Sequence, residues 1–241
     1  DLEIAEDNAQ ALLSLASEAR YSETPSSGLL SARQRALLAS DRTQDALDIS
    51  GSADGVYRSK LACPGPWESI ASFNENLADE LSSHPDAYHP VSTGSEVERL
   101  RSNGLSLPGK PTCNALSEAI IAHVERFSAS LNGDRLWMSG IPSAAGIEFW
   151  SMRTRMGGHD SWHYHTDGWL SGVYYVKSAS VEDTSEGSIG FAPAKDDNWL
   201  QHQIAPSPGE IILFPSQLFH RTFPTTSSEW RISVAFDILV T

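Results

Sequence analysis

The stretch SWHYHTDGWLSGVYYV (161–176) places two histidines and an aspartate within five positions. An apolar run rich in β-branched and aromatic residues follows at once, as expected of a buried strand. Side chains at alternate positions of an extended chain point to the same side, so His163, His165 and Asp167 would share one face. Imidazole and carboxylate ligands together suit a divalent first-row metal. We therefore predict a metal site where this strand begins.

A further ligand is expected from GEIILFPSQLFHRTFP, in which His220 follows His165 by 55 residues. His165, Asp167 and His220 would form a facial triad, two histidines and one carboxylate, which leaves coordination positions open. His163 stays open as the alternative to Asp167. A site of three histidines would be similar to that of cupin-type dioxygenases, whereas in the facial triad His163 would face the substrate or orient a ligand.

The last apolar run, RISVAFDILV (231–240), predicts an anion site beside the metal. Its alternation gives one apolar face and one face that carries Arg231 and Ser233. A buried guanidinium needs an anion, and its planar fork matches a carboxylate in two parallel hydrogen bonds. A dicarboxylate cosubstrate would satisfy this demand, with one end on the metal and the far carboxylate on Arg231 and Ser233.

The elements that must position these residues divide the chain into a helical part and a β-rich part. Helices are predicted at 67–83 and 114–132, with Asn114 as the cap of the second, and earlier helical runs fall within residues 1–50. Short β runs begin near Arg135, and their spacing is typical of a sandwich, barrel or jelly roll. This order predicts an α+β fold: an N-terminal helical extension at 1–50 and one domain at 51–241.

Composition excludes several partners. A net charge of −14 argues against nucleic acid or an anionic membrane. No run approaches the roughly 18 apolar residues of a membrane span, and the acidic opening DLEIAEDNAQ has no signal-peptide pattern. Cys63 and Cys113 lie in no metal or redox motif, so two reduced thiols in a cytoplasmic protein are expected. The sequence carries no indication of oligomeric state.

The order HxD, then His, then RxS resembles the Fe(II)/2-oxoglutarate-dependent oxygenases. More narrowly, the chain is similar to a bacterial subgroup often found C-terminal to tetratricopeptide repeats. The resemblance runs from about Trp67 to the C-terminus. Its most specific blocks are HYHTDGWLSGVYYV and PSPGEIILFPSQLFHRTFP.

This resemblance implies a double-stranded β-helix (jelly-roll, cupin-like) core with supporting N-terminal helices. It also implies Fe(II), 2-oxoglutarate and O2, with His165, Asp167 and His220 on the iron. Arg231 and Ser233, with Tyr175 as a further candidate, would hold the 2-oxoglutarate carboxylate. The expected activity is hydroxylation of a C–H bond in a small molecule or peptide side chain, with release of succinate and CO2.

One departure keeps the alternatives open. The subgroup usually has proline where this chain has Thr166, and its position equivalent to Asp167 is not reliably acidic. A three-histidine dioxygenase of the cupin type therefore remains a second hypothesis. A jelly-roll module that binds a metal or a small acid without catalysis is the third.

Overall fold

The computed structural model describes Ser14 and residues 27–50, 55–83, 99–103, 110–130, 146–178, 183 and 185–239. The helices are α1 (Ser27–Ala39), α2 (Thr43–Ser50), α3 (Ile70–Ser82) and α4 (Pro111–Ser130), with a short 3-10 turn at Asp197–Trp199. The strands are β1 (Tyr57–Lys60), β2 (Arg99–Asn103), β3 (Gly146–Thr154), β4 (Gly168–Lys177), β5 (Ile189–Ala192), β6 (His202–Ile204), β7 (Glu210–Pro215), β8 (Phe219–Thr222) and β9 (Arg231–Leu239).

Two antiparallel sheets form the centre of the fold. The larger sheet has six strands in the order β1-β7-β4-β9-β3-β2, and the smaller has three in the order β6-β5-β8. A small apolar cluster joins the sheets through Tyr175, Ile212 and Phe214 of the larger and Ile189 and Phe191 of the smaller. Helices cover the other face of the larger sheet. The predicted α+β class is therefore confirmed.

Side chains alternate along the central strands, so that one apolar face of the larger sheet packs against the helices and the other face points toward the smaller sheet. Leu170, Tyr174 and Val176 of β4 join the core formed with the helices, whereas Val173 and Tyr175 point between the sheets. Strand β9 follows the same rule. Its apolar residues Ile232, Val234, Phe236 and Ile238 join the helical core. The polar face of β9 is thereby turned toward the space between the sheets.

The first two helices pack directly on the β core. Leu30 and Leu37 of α1 and Ile49 of α2 belong to the same apolar cluster as the larger sheet. The side-chain amide of Gln217 also donates to the Ile49 carbonyl at 3.3 Å. The boundary predicted near residue 50 stays a prediction. The first of the helical runs predicted within residues 1–50, IAEDNAQALLSLASEAR (4–20), lies outside the described residues except for Ser14.

Two local predictions differ from the structure. The polar stretch at 89–111, rich in Gly and Pro, predicts a loop, but β2 forms at Arg99–Asn103 and pairs with β3. Helix α4 begins at Pro111, so Asn114 lies within the helix and is not its cap. Strands β6 and β8 are only three and four residues long, too short for a periodic signal.

None of the helices in the described ranges is long and apolar enough to cross a membrane. Cys63 and Cys113 are both free.

The N-terminus of α4 is capped by a residue from another helix. Glu80, near the end of α3, accepts the backbone N–H of Thr112 at 3.0 Å and that of Cys113 at 2.9 Å. Burial on its own raises the pKa of Glu80, but the hydrogen bonds from Thr112 and Cys113 outweigh it and hold the pKa below the ordinary 4.5. The ionised carboxylate therefore stabilises the junction between the two helices.

Replacing Glu80 should destabilise the fold in a pH-dependent way. Glu80→Ala is expected to lower the free energy of unfolding at pH 7 by about 1–2 kcal/mol, as for loss of a helix cap. Because the folded pKa is depressed, this contribution is present above the unfolded pKa and is lost as the pH falls through the folded value. Urea unfolding at pH 7 and at about pH 3 measures both effects. Glu75→Ala, an exposed site on the same helix, is the control; equal losses in the two variants would contradict this role.

Candidate metal centre

Backbone pairing brings the three histidines together. The segment before β4 runs beside β8, where His163 N–H donates to the His220 carbonyl at 3.0 Å and the reverse bond measures 2.9 Å. The His165 N–H donates to the Ser216 carbonyl at 2.9 Å. One ligand nitrogen from each of His163, His165 and His220 lies within 4.8 Å of the others. Main-chain hydrogen bonds thus hold together the two backbone segments, distant in sequence, that carry the imidazoles.

Hydrogen bonds set the tautomer of each ring. The Nδ1 atoms of His163 and His220 lie 2.7 Å from the Ser161 carbonyl and 3.0 Å from the Leu218 carbonyl. The Nδ1 atom of His165 lies 2.6 Å from Asp237 Oδ1. Carbonyl and carboxylate oxygens only accept, so each Nδ1 carries the hydrogen and the lone pair of each neutral ring lies on Nε2. That is the arrangement a metal-binding imidazole requires.

Burial keeps His220 neutral. Desolvation, assisted by the neighbouring His163 and His165 imidazoles, lowers the pKa of His220 well below its ordinary value. The His220 ring is 5% exposed and packs against Phe214 with ring centroids 4.6 Å apart. A neutral imidazole is the form that donates a lone pair to a metal ion.

Asp167 does not join this group. Strand β4 begins only at Gly168, and the chain bends at Thr166 and Asp167, so the two-residue alternation that predicted Asp167 as a ligand ends before it. The Asp167 side chain is exposed. Among the described residues, the cluster of potential ligands contains His163, His165 and His220 alone. The structure therefore assembles the alternative histidine set and leaves the expected carboxylate outside.

The histidines line a cavity of about 440 Å³ between the two sheets. Arg231, Ser233 and Tyr175 line the same cavity. Arg231 is 5% exposed, and its Nε and one terminal nitrogen have no hydrogen-bond partner in the described part of the chain. The guanidinium lies 5.1 Å from the centre of the Tyr175 ring. The three residues predicted to hold a carboxylate therefore share one space with the histidines.

The Tyr175 hydroxyl is also buried and lacks a partner among the described residues. Complete burial raises the pKa of Tyr175 to about 12, against the opposing effect of the Arg231 guanidinium. The phenol is therefore neutral near pH 7 and available as a hydrogen-bond donor. A buried cation and a buried donor without partners carry a large desolvation cost, which an anionic ligand would remove.

The remaining cavity wall is mainly aromatic and apolar near the histidines. It includes Trp150, Met152, Trp162, Val173, Ile189 and Phe214, with the polar residues His159, Asp160, Ser161 and Thr222. Trp162 is held by Asp197, whose Oδ1 accepts the indole N–H at 2.7 Å. Arg221, which had no predicted role, contacts the same carboxylate at 2.8 Å. Trp162 is thus a fixed part of the wall.

Sequence reasoning missed the polar residues behind His165. Asp237 lies on the predicted inner face of β9, and Ser171 lies opposite it on β4. An acidic residue on the same face of β9 as Arg231 and Ser233 was the signal that could have identified Asp237. Arg153 and Arg155 lie over the Trp230 ring. Trp169 and Tyr174 are core residues, as expected.

Residues 148–237 match a family model described as "Putative 2OG-Fe(II) oxygenase". This segment runs from β3 to β9 and contains the three histidines, Arg231 and Ser233. Over these residues the chain is similar to the 2OG-Fe(II) oxygenase family. The match confirms the predicted enzyme class, a 2-oxoglutarate-dependent Fe(II) oxygenase, and with it the expected cofactors. No curated protein sequence matches the chain, and the tetratricopeptide context stays a prediction.

Solved 2OG-Fe(II) oxygenases share the fold. A Trichoplax adhaerens prolyl hydroxylase, solved with a hypoxia inducible factor peptide fragment, aligns with a TM-score of 0.59 at 14% identity over 85% of this chain and 92% of that one. A Pseudomonas putida prolyl-4-hydroxylase gives 0.53 at 15% identity, covering 82% and 96%. HygX from Streptomyces hygroscopicus, solved with nickel and 2-oxoglutarate, gives 0.53 at 13% identity, covering 83% and 87%. At these identities the likeness concerns the fold.

Proposed function

We propose that this protein is an Fe(II)- and 2-oxoglutarate-dependent oxygenase whose iron is held by His163, His165 and His220. Its reaction would hydroxylate a C–H bond of a small molecule or peptide side chain, with release of succinate and CO2. The observation that carries the proposal is the single cavity in which three convergent imidazoles share space with the buried guanidinium of Arg231, two of whose nitrogens have no hydrogen-bond partner among the described residues. This assignment replaces Asp167 by His163 in the ligand set expected from the sequence.

The donor set fits Fe(II). Imidazole suits iron among the divalent first-row metals, and three ligands on one side leave positions for a chelating cosubstrate and oxygen. All three rings are held in the correct tautomer by hydrogen bonds at Nδ1. The protein therefore supplies three imidazoles that are already close together and in the tautomer that a metal ion requires.

The charged end of the cavity fits the distal carboxylate of 2-oxoglutarate. Arg231 and Ser233 follow the same face of β9, which puts a guanidinium and a hydroxyl side by side. The neutral Tyr175 phenol can donate a further hydrogen bond to the same carboxylate. Together these residues would fix one end of the cosubstrate, so that its other end is directed toward the histidines.

With iron and 2-oxoglutarate bound, O2 would be the oxidant for a C–H bond of the substrate. The contribution of this chain is to bind, orient and exclude water. Trp150, Trp162 and Phe214 provide apolar walls beside the histidines, and the Asp197 hydrogen bond keeps Trp162 in place. These walls would confine the substrate carbon that reacts. The cavity admits either a small molecule or the side chain of a peptide.

The three-histidine set also favours a second candidate function, a cupin-type dioxygenase that does not use 2-oxoglutarate. Arg231 argues for the first candidate, because two of its buried guanidinium nitrogens lack a partner in the described part of the chain and a buried cation without an anion is costly. A non-catalytic module that binds a metal or small acid would use the same residues without turnover. Dependence of the reaction on 2-oxoglutarate separates the three.

Anaerobic reconstitution tests the proposal. Fe(II) and 2-oxoglutarate added together should produce a visible charge-transfer band that neither component gives alone. Admission of air should then release succinate, slowly without substrate and faster with the correct one. A band that is absent, or that forms without 2-oxoglutarate, would contradict the proposal. Metal and 2-oxoglutarate binding without succinate release across a substrate panel would favour the binding module.

A further inference from the structure

The three candidate ligands differ in what lies behind them. His163 and His220 each donate their Nδ1 hydrogen to a neutral backbone carbonyl. His165 instead faces a carboxylate, Asp237 Oδ1, at 2.6 Å. Hydrogen bonds to an ionised acceptor are shorter and roughly twice as strong as neutral ones. His165 is therefore electronically distinct within the group.

Asp237 is itself held in a buried polar network. The Ser171 hydroxyl donates to the same Oδ1 at 2.6 Å, and Ser171 Oγ lies 2.8 Å from Ser216 Oγ. Ser171 and Asp237 are direct partners across β4 and β9. The fit leaves no room for a side chain at Gly168, where a Cβ would lie 2.6 Å from Ser216 Oγ. The carboxylate thus has one fixed orientation.

Asp237 acts on the site only through His165. Its side chain is 13% exposed, and it is not among the residues that line the cavity. Neither substrate nor cosubstrate in the cavity would therefore contact it. Asp167, the other nearby carboxylate expected from the sequence, is exposed to solvent, where its charge is screened.

We propose that Asp237 is a positioning residue that supplies, through His165, the negative charge which the ligand carboxylate provides in a facial triad. The inference rests on the three-histidine centre proposed above. Three neutral imidazoles alone leave the iron more positively charged than two imidazoles and a carboxylate do. Hydrogen bonding from His165 Nδ1 to Asp237 makes that imidazole a more basic ligand and fixes Nε2 toward the metal. The negative charge of Asp237 would thus lie behind a ligand of the iron, whereas in a facial triad the charged carboxylate is itself a ligand.

Asp237→Asn tests this role, because it removes the charge and nearly preserves the shape. Anaerobic titration should show Fe(II) binding weakened by about 10- to 100-fold, the usual cost of losing a partner behind a ligand. The Fe(III)/Fe(II) midpoint potential should also shift in the positive direction, a change that loosened packing alone does not require. Asp167→Asn, which removes the same charge from the exposed site, is the matched control and should change neither quantity appreciably.

The outcomes are distinct. Wild-type affinity and potential in Asp237→Asn would overturn the inference, as would equal effects in both aspartate variants. Weakened binding with an unchanged potential would also overturn it, since that result indicates a structural role only. If Asp237→Asn does not fold, Ser171→Ala keeps the carboxylate but removes the hydroxyl that donates to Asp237 and lies 3.0 Å from His165 Nδ1. It should weaken Fe(II) binding by about tenfold, and an unchanged affinity would overturn the inference. Failure of the wild-type protein to bind Fe(II) would instead refute the proposed function.

Discussion

His163→Ala removes tight Fe(II) binding, whereas Asp167→Ala leaves it intact. This result is expected because His163 contributes one of the three convergent ligand nitrogens, and Asp167 is exposed and outside that group. Loss of a ligand should weaken Fe(II) binding by more than about 100-fold. This exceeds the largest usual loss of metal affinity when only the hydrogen-bond partner behind a ligand is removed. Anaerobic titration with Fe(II), or with Co(II) as an air-stable probe, measures the effect.

The His163 and Asp167 pair also discriminates between the two ligand sets. Both residues lie within two positions of His165, so both variants perturb the same segment, and thermal unfolding of the metal-free proteins checks that each is folded. The opposite outcome, with binding lost in Asp167→Ala and kept in His163→Ala, would restore the facial triad and contradict the three-histidine centre.

Arg231→Ala abolishes the response to 2-oxoglutarate without abolishing Fe(II) binding. Removing one member of a buried charge pair costs about 2–5 kcal/mol, which corresponds to at least about 30-fold in affinity. The apo protein should not be destabilised much, because two guanidinium nitrogens of Arg231 lack partners within the described residues. The measurement is the increase in thermal unfolding temperature on adding 2-oxoglutarate to the Fe(II)-loaded protein.

A ligand analogue makes the Arg231 test specific. 2-Oxopentanoate keeps the metal-chelating end of 2-oxoglutarate but lacks the distal carboxylate. It should bind weakly to the wild-type protein and no more weakly to Arg231→Ala. Arg155→Ala, whose side chain lies over Trp230 outside the cavity lining, is the control. If Arg231→Ala binds 2-oxoglutarate as tightly as the control does, the guanidinium has no role in the cosubstrate site.

The fold and the placement of Arg231 and Ser233 on one face could be predicted because they depend on a period that the sequence shows directly. Strand β9 alternates over its whole length, so the apolar face and the Arg231–Ser233 face follow from counting by two. The same holds for β4, whose apolar run marks a buried strand. The helices predicted at 67–83 and 114–132 differ from α3 and α4 by only a few residues at each end. The difference arises because capping depends on tertiary contacts, such as the one that Glu80 makes with the start of α4.

The proposed third ligand could not be predicted by the same reasoning. Counting by two from His165 reaches Asp167, but the chain bends one residue before that position. His163 takes this place in the proposed ligand set because of its backbone pairing with His220, a contact across 57 positions that no local pattern shows. Asp237 likewise reaches His165 only because β9 pairs with β4.

A crystal structure of the anaerobic Fe(II)-loaded protein, with anomalous diffraction measured at the iron edge, tests the central claim most directly. The account predicts one iron peak within coordination distance of the Nε2 atoms of His163, His165 and His220. Asp167 should remain outside that distance, and Asp237 should contact His165 Nδ1. An iron coordinated by the Asp167 carboxylate with His163 turned away, or a peak elsewhere, would contradict it.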